Sequence, residues 1–284
     1  MRFIQSVDAV REQVRVWWLE GRRIGFVPTM GNLHAGHLRL VERALSESDR
    51  VLVSLFVNPL QFGPNEDYAT YPRTLEADLE KLTALGVQAA FLPPAGALYG
   101  ESLEATTRVI VPGISDEFCG RFRPGFFVGV ATVVAKLFNL VQPDLAVFGE
   151  KDYQQLMIIR RMVRDLCYPV EILSEATVRE PDGLAMSSRN VYLDPESRRL
   201  APRLYQTLHW VAERLKVGEG DFARLEQQAR ERLESDGFQV DYVEIRQAET
   251  LAPAGPGDTA LVVLAAVWLA GKTRLIDNIL VVTQ

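Results

Sequence analysis

Cysteine is scarce in this chain of 284 residues, which contains only Cys119 and Cys167, far apart and without a CxxC pair. Two isolated cysteines exclude a disulfide framework and a zinc site built on cysteine. A secretory signal is also missing, because the first residues lack a basic start, an apolar segment and a small-residue cleavage site. Together these absences predict a cytoplasmic protein.

Long hydrophobic runs and an excess of positive charge are missing as well. The apolar run at residues 261–270 has about half the length needed to cross a bilayer, so it predicts a strand in a core and no membrane span. The 31 basic residues against 37 acidic ones give a net charge of −6. This balance argues against an extended nucleic-acid surface, which needs a basic face to neutralise phosphates, but it permits a local nucleotide pocket.

The remaining composition is typical of a globular protein, with 48% hydrophobic and 24% charged residues, and the length suits two ordinary domains. Up to about residue 176, apolar runs alternate with helical patterns. Strands are predicted at 24–27, 51–57, 89–92, 145–148 and 170–173, and helices at 34–46, 74–85, 129–141 and 153–166. Strands that are apolar throughout and separated by helices form parallel sheets covered on both faces. We therefore predict a Rossmann-like, doubly wound α/β domain with a parallel sheet over residues 1–176.

The pattern changes after residue 176. Two helical stretches precede three strand candidates, and a Pro and Gly cluster at 252–258 predicts a turn between two of the strands. The helices are predicted near 195–215 and 221–235, and the strands at 239–246, 261–269 and 274–282. These elements predict a smaller C-terminal α+β domain over residues 177–284 with an antiparallel sheet.

The sequence PTMGNLHAGH, residues 28–37, stands where the first predicted strand turns into a helix. A helix N-terminus carries unsatisfied N–H groups and a partial positive charge, and Gly31 and Gly36 let a phosphate approach the backbone. His34 and His37 are three residues apart, so both rings face one side of the first turn and can donate to phosphoryl oxygens. Phosphate binding is the favoured interpretation. A pair of capping histidines and half of a zinc site are the alternatives.

Amide side chains follow the second predicted strand, in FVNPLQF. Pro59 ends the strand, and Asn58 and Gln61 can both donate and accept hydrogen bonds, which suits a substrate with hydroxyl and carboxylate groups. The alternative is an ordinary turn with capping side chains. Ligands of parallel sheets bind beyond the carboxyl ends of the strands, so we expect these amides to share a rim with His34 and Lys151.

The segment FGEKDYQQ follows another strand and enters another helix. Gly149 permits close approach, Lys151 can reach a phosphate, and Asp152 can accept from ribose hydroxyls. Gln155, one turn into the helix, can face the same rim. The alternative is an N-capping carboxylate beside a solvated lysine.

The segment DGLAMSSRN lies where the two domains should join. Ser187 and Ser188 offer hydroxyls and backbone N–H groups, and Arg189 offers a fork for phosphate oxygens, so a loop at this hinge could close over a nucleotide. The alternative is a Gly turn followed by an ST-type helix cap. Elsewhere, the basic loop at residues 121–125 is predicted to be solvated, and a loop that faces an anion is the alternative. His209 lies on a predicted helix and is predicted to serve in packing rather than in catalysis.

Five segments resemble the pantothenate synthetase family in the same order and over nearly the whole chain. They are PTMGNLHAGH, FVNPLQF, RPGFFVGVATVVAKLFN, FGEKDYQQL and TVREPDGLAMSSRN. The first is shared with the wider HIGH-type nucleotidyltransferases and class I aminoacyl-tRNA synthetases. The segments around Gln61 and Gln155 narrow the resemblance to the enzymes that act on pantoate. The resemblance implies ATP-dependent condensation of (R)-pantoate with β-alanine to (R)-pantothenate, AMP and diphosphate through an enzyme-bound pantoyl adenylate. It also implies Mg²⁺ with the ATP, and a homodimer.

The same resemblance assigns roles to residues. His37 would be the proton donor, Gln61 and Gln155 would hold pantoate, and Gln61 with Asn58 would position β-alanine. The further residues implied in catalysis are His34, Lys151, Ser187, Ser188 and Arg189, the last three in a mobile loop at 186–189. The residues implied to contact ATP are Met30, Gly31, Asn32, Leu33, His34, Ala35, Gly36, His37, Gly149, Glu150, Lys151, Asp152, Val178, Met186, Ser187, Ser188 and Arg189.

Two departures from the family pattern stand out. Phe126 occupies the position where family members usually have His, so any polar contribution there is absent or replaced. Ala77 removes one of the adjacent carboxylates that some relatives carry near the metal site, and the remaining Asp78 is not counted as a ligand. Two other functions stay open: a nucleotidyltransferase that stops after moving a nucleotide onto a phosphate ester, and a nucleotide sensor without turnover.

Overall fold

The computed structural model describes residues 1–64 and 66–283. Contacts within the chain divide it into two compact units. The first comprises Met1–Glu150 and Ile158–Ala176, and the second comprises Lys151–Met157 and Thr177–Gln284. Among the residues described, no helix combines the length and the apolar character needed to span a membrane.

A parallel sheet forms the centre of the first unit. Its strands are β1 (Arg2–Ile4), β2 (Ile24–Thr29), β3 (Arg50–Leu55), β4 (Ala89–Phe91), β5 (Leu145–Gly149) and β6 (Glu171–Glu175). They lie in the order β1-β4-β3-β2-β5-β6, and each neighbouring pair is parallel. The predicted Rossmann-like α/β fold is confirmed. The periodicity did not predict β1, because only Ile4 of its three residues is buried.

Helices alternate with these strands. They are α1 (Val7–Leu19), α2 (Ala35–Glu47), α3 (Leu75–Ala84), α4 (Ala95–Tyr99), α5 (Cys119–Phe122), α6 (Phe126–Val141) and α7 (Tyr153–Asp165). Helix α6 is buried on most sides, as its nearly continuous apolar sequence requires. A buried cluster that includes Val41 of α2, Leu82 of α3 and Val53 of β3 packs two of the helices against the sheet. This packing places the N-terminus of α2 at the edge where β2 ends.

Strands β2 and β5 separate toward their carboxyl ends. Ladder pairs join only Gly25 with Leu145 and Phe26 with Ala146, whereas β2 continues to Thr29 and β5 to Gly149. The strand order also reverses here, since β3 lies on one side of β2 and β6 lies beyond β5. Open α/β sheets bind ligands in the crevice at such a switch point. The first and third sequence motifs begin at these two strand ends.

An antiparallel sheet forms the centre of the second unit. Its elements are α8 (Pro195–Leu200), α9 (Pro202–Lys216), α10 (Phe222–Ser235), β7 (Phe238–Gln247), β8 (Ala260–Leu269) and β9 (Thr273–Val282). Strand β8 lies in the middle and is buried from residue 261 to 267. One apolar cluster joins it to α9 and α10 through residues such as Leu208 and Leu225. The predicted smaller α+β fold with an antiparallel sheet is confirmed.

Candidate active site

A tight turn leads from β2 into α2. The hydroxyl of Thr29 donates to the carbonyl of Ser54 at 2.8 Å and accepts the N–H of Gly31 at 3.2 Å. Gly31 and Asn32 both have left-handed backbones, with φ of 82° and 51°. A glycine and an asparagine adopt this conformation at low cost. The turn therefore begins the helix directly beyond the strand end.

Asp78 anchors this turn. It is 1% exposed, and its two oxygens accept the N–H groups of Asn32 and Leu33 at 2.8 Å each. Lys81, farther along α3, donates to the carbonyl of Leu33 at 2.7 Å. A Cβ atom at Gly31 would lie 3.2 Å from Oδ2 of Asp78, so the glycine leaves room for the carboxylate. This role is not predictable from the sequence, because nothing local to Asp78 indicates a partner 45 or 46 positions away.

His34 and His37 cap the helix that they begin. Nδ1 of His34, the N-cap of α2, accepts the N–H of Gly36 at 3.1 Å, and Nδ1 of His37 accepts the N–H of His34 at 3.3 Å. The ring centroids lie 4.1 Å apart. A neutral imidazole that accepts at Nδ1 carries its proton on Nε2, so each ring also has an Nε2–H donor. The capping alternative and the phosphate interpretation therefore use different atoms of the same rings.

Asn58 and Gln61 belong to a buried amide network. Nδ2 of Asn58 donates to Oε1 of Gln61 and to the carbonyl of Gly129, both at 3.1 Å. Its Oδ1 accepts the N–H of Leu60 at 3.2 Å and the hydroxyl of Tyr99 at 2.6 Å. All four hydrogen-bonding positions of Asn58 are thus used within the first unit. The cap on Leu60 is the turn that the sequence analysis kept as the alternative, but the amides are 1% and 9% exposed rather than at the surface.

Gln61 connects two motifs. Its Nε2 lies 2.9 Å from Sδ of Met30, in the loop that precedes α2. The amide network and the histidine pair are therefore built on neighbouring strand ends, β3 and β2. In the first unit, the structure brings these two predicted site segments together.

Arg123 lies half-buried against this network, whereas the other residues of the loop at 121–125 are exposed. The predicted solvated loop therefore fits those residues but is wrong for Arg123. Its side chain is 15% exposed and pairs with Glu66 through Nε at 2.7 Å and Nη2 at 2.5 Å. Nη2 also donates to the carbonyl of Gln61 at 3.3 Å. The guanidinium carbon lies 3.6 Å from the centre of the Phe126 ring. Phe126 thus supplies a cation–π surface for Arg123.

The segment after β5 forms a 3₁₀ turn, Glu150–Asp152, before α7. The side chain of Lys151 is 20% exposed, and its Nζ lies 3.9 Å from Oδ2 of Asp152, whose own side chain is 51% exposed. The carbonyl of Lys151 accepts Nδ2 of Asn278 at 3.0 Å. The hydroxyl of Tyr153 donates to the carbonyl of Ala248 at 2.9 Å. These bonds tie residues 151–157 to the second unit.

Residues 178–186 form a short hairpin in the second unit. Its backbone pairs Arg179 with Ala185, and the N–H of Met186 donates to the carbonyl of Val178 at 2.9 Å. Two residues predicted to contact ATP, Val178 and Met186, therefore lie side by side. Ser187 then accepts the N–H of Arg189 at 3.2 Å and caps the 3₁₀ helix Ser188–Tyr192. This is the ST-type cap that the sequence analysis kept as an alternative.

Asp277 and Arg179 form a buried ion pair that the sequence analysis missed. Nη1 and Nη2 of Arg179 donate to the two carboxylate oxygens at 2.6 and 2.9 Å. Burial raises the pKa of Asp277, and the guanidinium of Arg179 opposes this shift. The available signal was the polar pair Asp277 and Asn278 between the apolar pairs Leu275–Ile276 and Ile279–Leu280, since a buried strand segment carries polar side chains only where they find partners.

Some predicted site residues fall in different units. Gln61 and His34 belong to the first unit, whereas Lys151 and Gln155 belong to the stretch grouped with the second. The common rim predicted for them stays a prediction. His209 lies half-exposed on α9, with its ring edge-on to Tyr205 at 6.0 Å.

Comparison with known proteins places this arrangement in a family. The family model of pantoate-beta-alanine ligase matches residues 2–280. A pantothenate synthetase of Alkalilimnicola ehrlichii is 54% identical over 98% of this chain and 97% of its own length, and one of Pseudomonas aeruginosa is 54% identical over 98% of both chains.

Solved structures agree with these relatives. The crystal structure of pantothenate synthetase from Thermus thermophilus has a TM-score of 0.91 at 48% identity and covers 98% of this chain and 99% of its own. The pantoate-beta-alanine ligase of Francisella tularensis, complexed with beta-gamma ATP and beta-alanine, has a TM-score of 0.82 at 34% identity, with 99% and 97% covered. The strand order, the motif geometry and these full-length matches lead to one conclusion: the chain belongs to the pantoate–β-alanine ligase family.

Proposed function

We propose that this chain catalyses the ATP-dependent condensation of (R)-pantoate with β-alanine, giving (R)-pantothenate, AMP and diphosphate. One observation carries the proposal: Nε2 of Gln61 lies 2.9 Å from Sδ of Met30, so a buried amide adjoins the loop that opens α2. Acyl-adenylate formation needs this combination, a helix N-terminus for phosphate beside polar groups for a hydroxy acid. Full-length relatives that carry the name pantothenate synthetase support the same reaction.

The reaction proceeds in two steps. A carboxylate is a poor electrophile, so its oxygen first attacks the α-phosphorus of ATP; a P–O bond forms to pantoate, and the P–O bond to diphosphate breaks. The amine of β-alanine then attacks the acyl carbon of the pantoyl adenylate. A C–N bond forms, AMP leaves with the former carboxylate oxygen, and the amine loses a proton. Neither step requires a covalent bond to the protein.

In the first unit, we assign the phosphate interactions to the loop at residues 30–37. The Nε2–H groups of His34 and His37 would donate to phosphoryl oxygens as charge develops around the α-phosphorus, with His37 as the proton donor. A donor of this kind contributes about 10²–10³ in rate. The bonds to Nδ1 hold both rings in the tautomer that this role requires.

Gln61 and Gln155 are proposed to hold pantoate, and Asn58 is proposed to act through Gln61. The four hydrogen bonds of Asn58 are all internal, and the one from Nδ2 occupies Oε1 of Gln61. This bond directs Nε2 of Gln61 toward Met30. Gln61 would therefore meet the substrate as a donor, which matches a carboxylate or hydroxyl oxygen of pantoate and lets the same amide help to position β-alanine.

The second unit would supply the remaining nucleotide contacts. We propose Lys151 as a point charge for phosphates, Asp152 as an acceptor from ribose hydroxyls, and the backbone of Val178 as a contact of the nucleotide. Gly149 and Glu150, which belong to the first unit, are proposed to contact the same nucleotide. The loop of Met186, Ser187, Ser188 and Arg189 would close on the triphosphate, carried by a domain over residues 177–284 that follows a first domain ending at residue 176.

We further propose that Mg²⁺ enters with ATP. Within residues 1–64 and 66–283, no three His, Cys, Asp or Glu side chains are grouped to hold a metal ion, and both oxygens of Asp78 accept backbone N–H groups. Mg²⁺ commonly binds substrate phosphates and water rather than a cage made of protein alone. The side chains described here thus do not form a metal site by themselves, and no step is derived through the ion.

A homodimer and a cytoplasmic location complete the proposal. The first unit exposes apolar side chains that a partner subunit could cover, among them Phe3, Trp18 and Leu19. Sedimentation velocity on the purified chain measures the association state. The low number of cysteines, with only Cys119 and Cys167 in the sequence, is what a reducing compartment favours.

The deciding experiment incubates the purified chain with ATP, pantoate, β-alanine and Mg²⁺. Stoichiometric AMP and pantothenate are expected. Release of diphosphate without AMP or pantothenate would instead indicate a nucleotidyltransferase of another specificity. ATP binding without any turnover would indicate a nucleotide sensor. Omission of each substrate in turn is the control.

A further inference from the structure

Two neighbouring polar residues lie in the middle of β9. Asp277 and Asn278 are 4% and 5% exposed, opposite Ala265 and Leu264 of the buried strand β8. Successive side chains of a strand point to opposite faces, so each of the two needs its own partner. Asp277 pairs with Arg179, and Nδ2 of Asn278 donates to the carbonyl of Lys151 at 3.0 Å.

Arg179 extends this network into the hairpin at 178–186. Nη1 donates to the carbonyl of Gly183 at 3.1 Å, and Nη2 donates to the carbonyl of Asn278 at 3.3 Å. The N–H of Asn278 in turn donates to Oδ1 of Asp277 at 2.8 Å. The guanidinium is therefore bonded both to β9 and to the turn of the hairpin.

The ring of Tyr205, on α9, packs against the guanidinium of Arg179. Its ring centre lies 3.9 Å from the guanidinium carbon of Arg179. Gly183 has a φ of 95°, and a Cβ atom there would lie 2.6 Å from the Tyr205 ring. The hairpin turn is thus packed against the same ring that covers Arg179.

We propose that Asp277 and Asn278 are positioning residues for the nucleotide. Together they fix the backbone of Lys151 and the hairpin at 178–186 in position relative to β9. The lysine ammonium and the loop after Met186 can then contact the same triphosphate. The inference rests on the proposed function, because it takes Lys151 and this loop as ATP-binding groups. A displacement of about 1 Å at such groups can cost about 100-fold in rate.

Asn278→Ala is the primary test. It removes the bond to the carbonyl of Lys151 but keeps the ion pair of Asp277 with Arg179 and the backbone N–H of residue 278. We expect kcat/KM for ATP to fall about 10–100-fold, while KM for pantoate changes less than about threefold. Asn278→Leu, which has a similar branched shape but no donor, is the second variant and is expected to show the same loss, so the test does not depend on the alanine variant folding.

A double-mutant cycle separates positioning from general support of the fold. If Asn278 acts through Lys151, then Asn278→Ala in a Lys151→Ala background causes no further loss of kcat/KM for ATP, because the group that it positions is already gone. Multiplicative losses in the double variant would overturn the proposal, as would a kcat/KM for ATP within about twofold of wild type in both Asn278 variants.

A matched control exists in the same sheet for the ion pair. Asp241 accepts Nε of Arg274 at 2.8 Å and Nε1 of Trp268 at 3.2 Å, and its side chain is 8% exposed. We expect Asp241→Asn to lower the melting temperature while leaving kcat/KM for ATP unchanged, and Asp277→Asn to lower both. Equal kinetic behaviour of the two variants would overturn the role of Asp277. A wild-type chain that forms no pantothenate would overturn the proposed function itself.

Discussion

The two histidines of the first motif each perform two tasks with one ring. Nδ1 of His34 and Nδ1 of His37 satisfy backbone N–H groups at the start of α2, which a serine or asparagine could also do. An imidazole adds a second nitrogen on the far side of the ring, and its proton is fixed there by the bond at Nδ1. The helix cap thus determines the direction and the tautomer of the proposed phosphate donor.

Substitutions of His37 separate the two tasks. A glutamine at the third helical position can still accept the N-cap N–H, as in a capping box, whereas an alanine cannot. We expect His37→Gln and His37→Ala both to lower kcat for AMP formation by about 10²–10³, because alanine has no donor and the amide N–H of glutamine cannot give up its proton as an imidazole can. Only the alanine variant should lose stability, by about 0.5–2 kcal/mol. Steady-state kinetics and thermal unfolding measure the two effects, and near-normal turnover would remove His37 from the mechanism.

Tyr99 gives a test in alkaline solution. Burial raises the pKa of its hydroxyl above the ordinary value of 10.0, with a smaller opposing effect from Arg108. The unfolded chain therefore loses this proton at a lower pH than the folded protein does, so the contribution of Tyr99 to stability is complete below pH 10 and is lost as the pH rises through the folded-state pKa.

We accordingly expect Tyr99→Phe to be less stable than wild type at pH 8 by about 1 kcal/mol, because Asn58 loses a donor, and we expect the difference to shrink above about pH 10. Urea unfolding over a series of pH values measures it. Tyr168→Phe, which removes a hydroxyl with longer bonds of 3.3 and 3.5 Å, is the control. A difference that is constant from pH 8 to 11 would contradict the assignment.

Helix α6 passes close to the backbone of the 3₁₀ turn Pro59–Gln61 at Gly129, beside the amide network. A Cβ atom at Gly129 would lie 2.2 Å from the carbonyl oxygen of Leu60 and 2.8 Å from the nitrogen of Gln61. This approach lets the side chain of Asn58 reach the carbonyl of Gly129. The glycine therefore sets the distance between the helix and the substrate-binding turn.

Gly129→Ala should push these two elements apart. We expect a loss of about 1–3 kcal/mol in the free energy of unfolding, as for other overpacked sites, together with a higher KM for pantoate. Gly96→Ala in α4 is the matched control, since no atom lies within 4 Å of the Cβ added there, and it should be neutral or stabilising by up to about 1 kcal/mol. The two measurements are thermal unfolding and kinetics with varied pantoate. Equal stability of both variants would contradict the packing argument.

The order of the two chemical steps can be tested on the whole enzyme without any substitution. Because the adenylate forms before the amine reacts, pantoate alone should support exchange of labelled diphosphate into ATP. The purified chain with ATP, pantoate and Mg²⁺, without β-alanine, is the assay, and a reaction without pantoate is its control. A strict requirement for β-alanine would show that the two-step order is wrong.

Local sequence was sufficient for the central strands, although not for β1, and for several of the groups now placed at the strand ends. Apolar runs predict β2, β3 and β5, and the small and polar residues after them predict the turns that bear His34 and Gln61, because strand burial and turn chemistry are short-range effects. The same reasoning failed for Arg123. A Pro- and Gly-rich basic loop usually lies in solvent, and Glu66 and Phe126, which bury its guanidinium, are not apparent from the loop itself.

The partners of Asp78, Arg179 and Asn278 were decided only when the chain folded. Asp78 meets the N–H of Asn32 across 46 positions, Asp277 meets Arg179 across 98, and Asn278 meets Lys151 across 127. Periodicity and capping rules extend over a few residues, whereas these contacts depend on which strand lies beside which. The start of helix α2 and the capping by its two histidines are determined by the neighbouring sequence. The bonds from the loop before α2 to Asp78, and from Asn278 to the backbone of Lys151, were decided by tertiary packing. A buried polar group forms its hydrogen bonds with the groups that the fold places next to it.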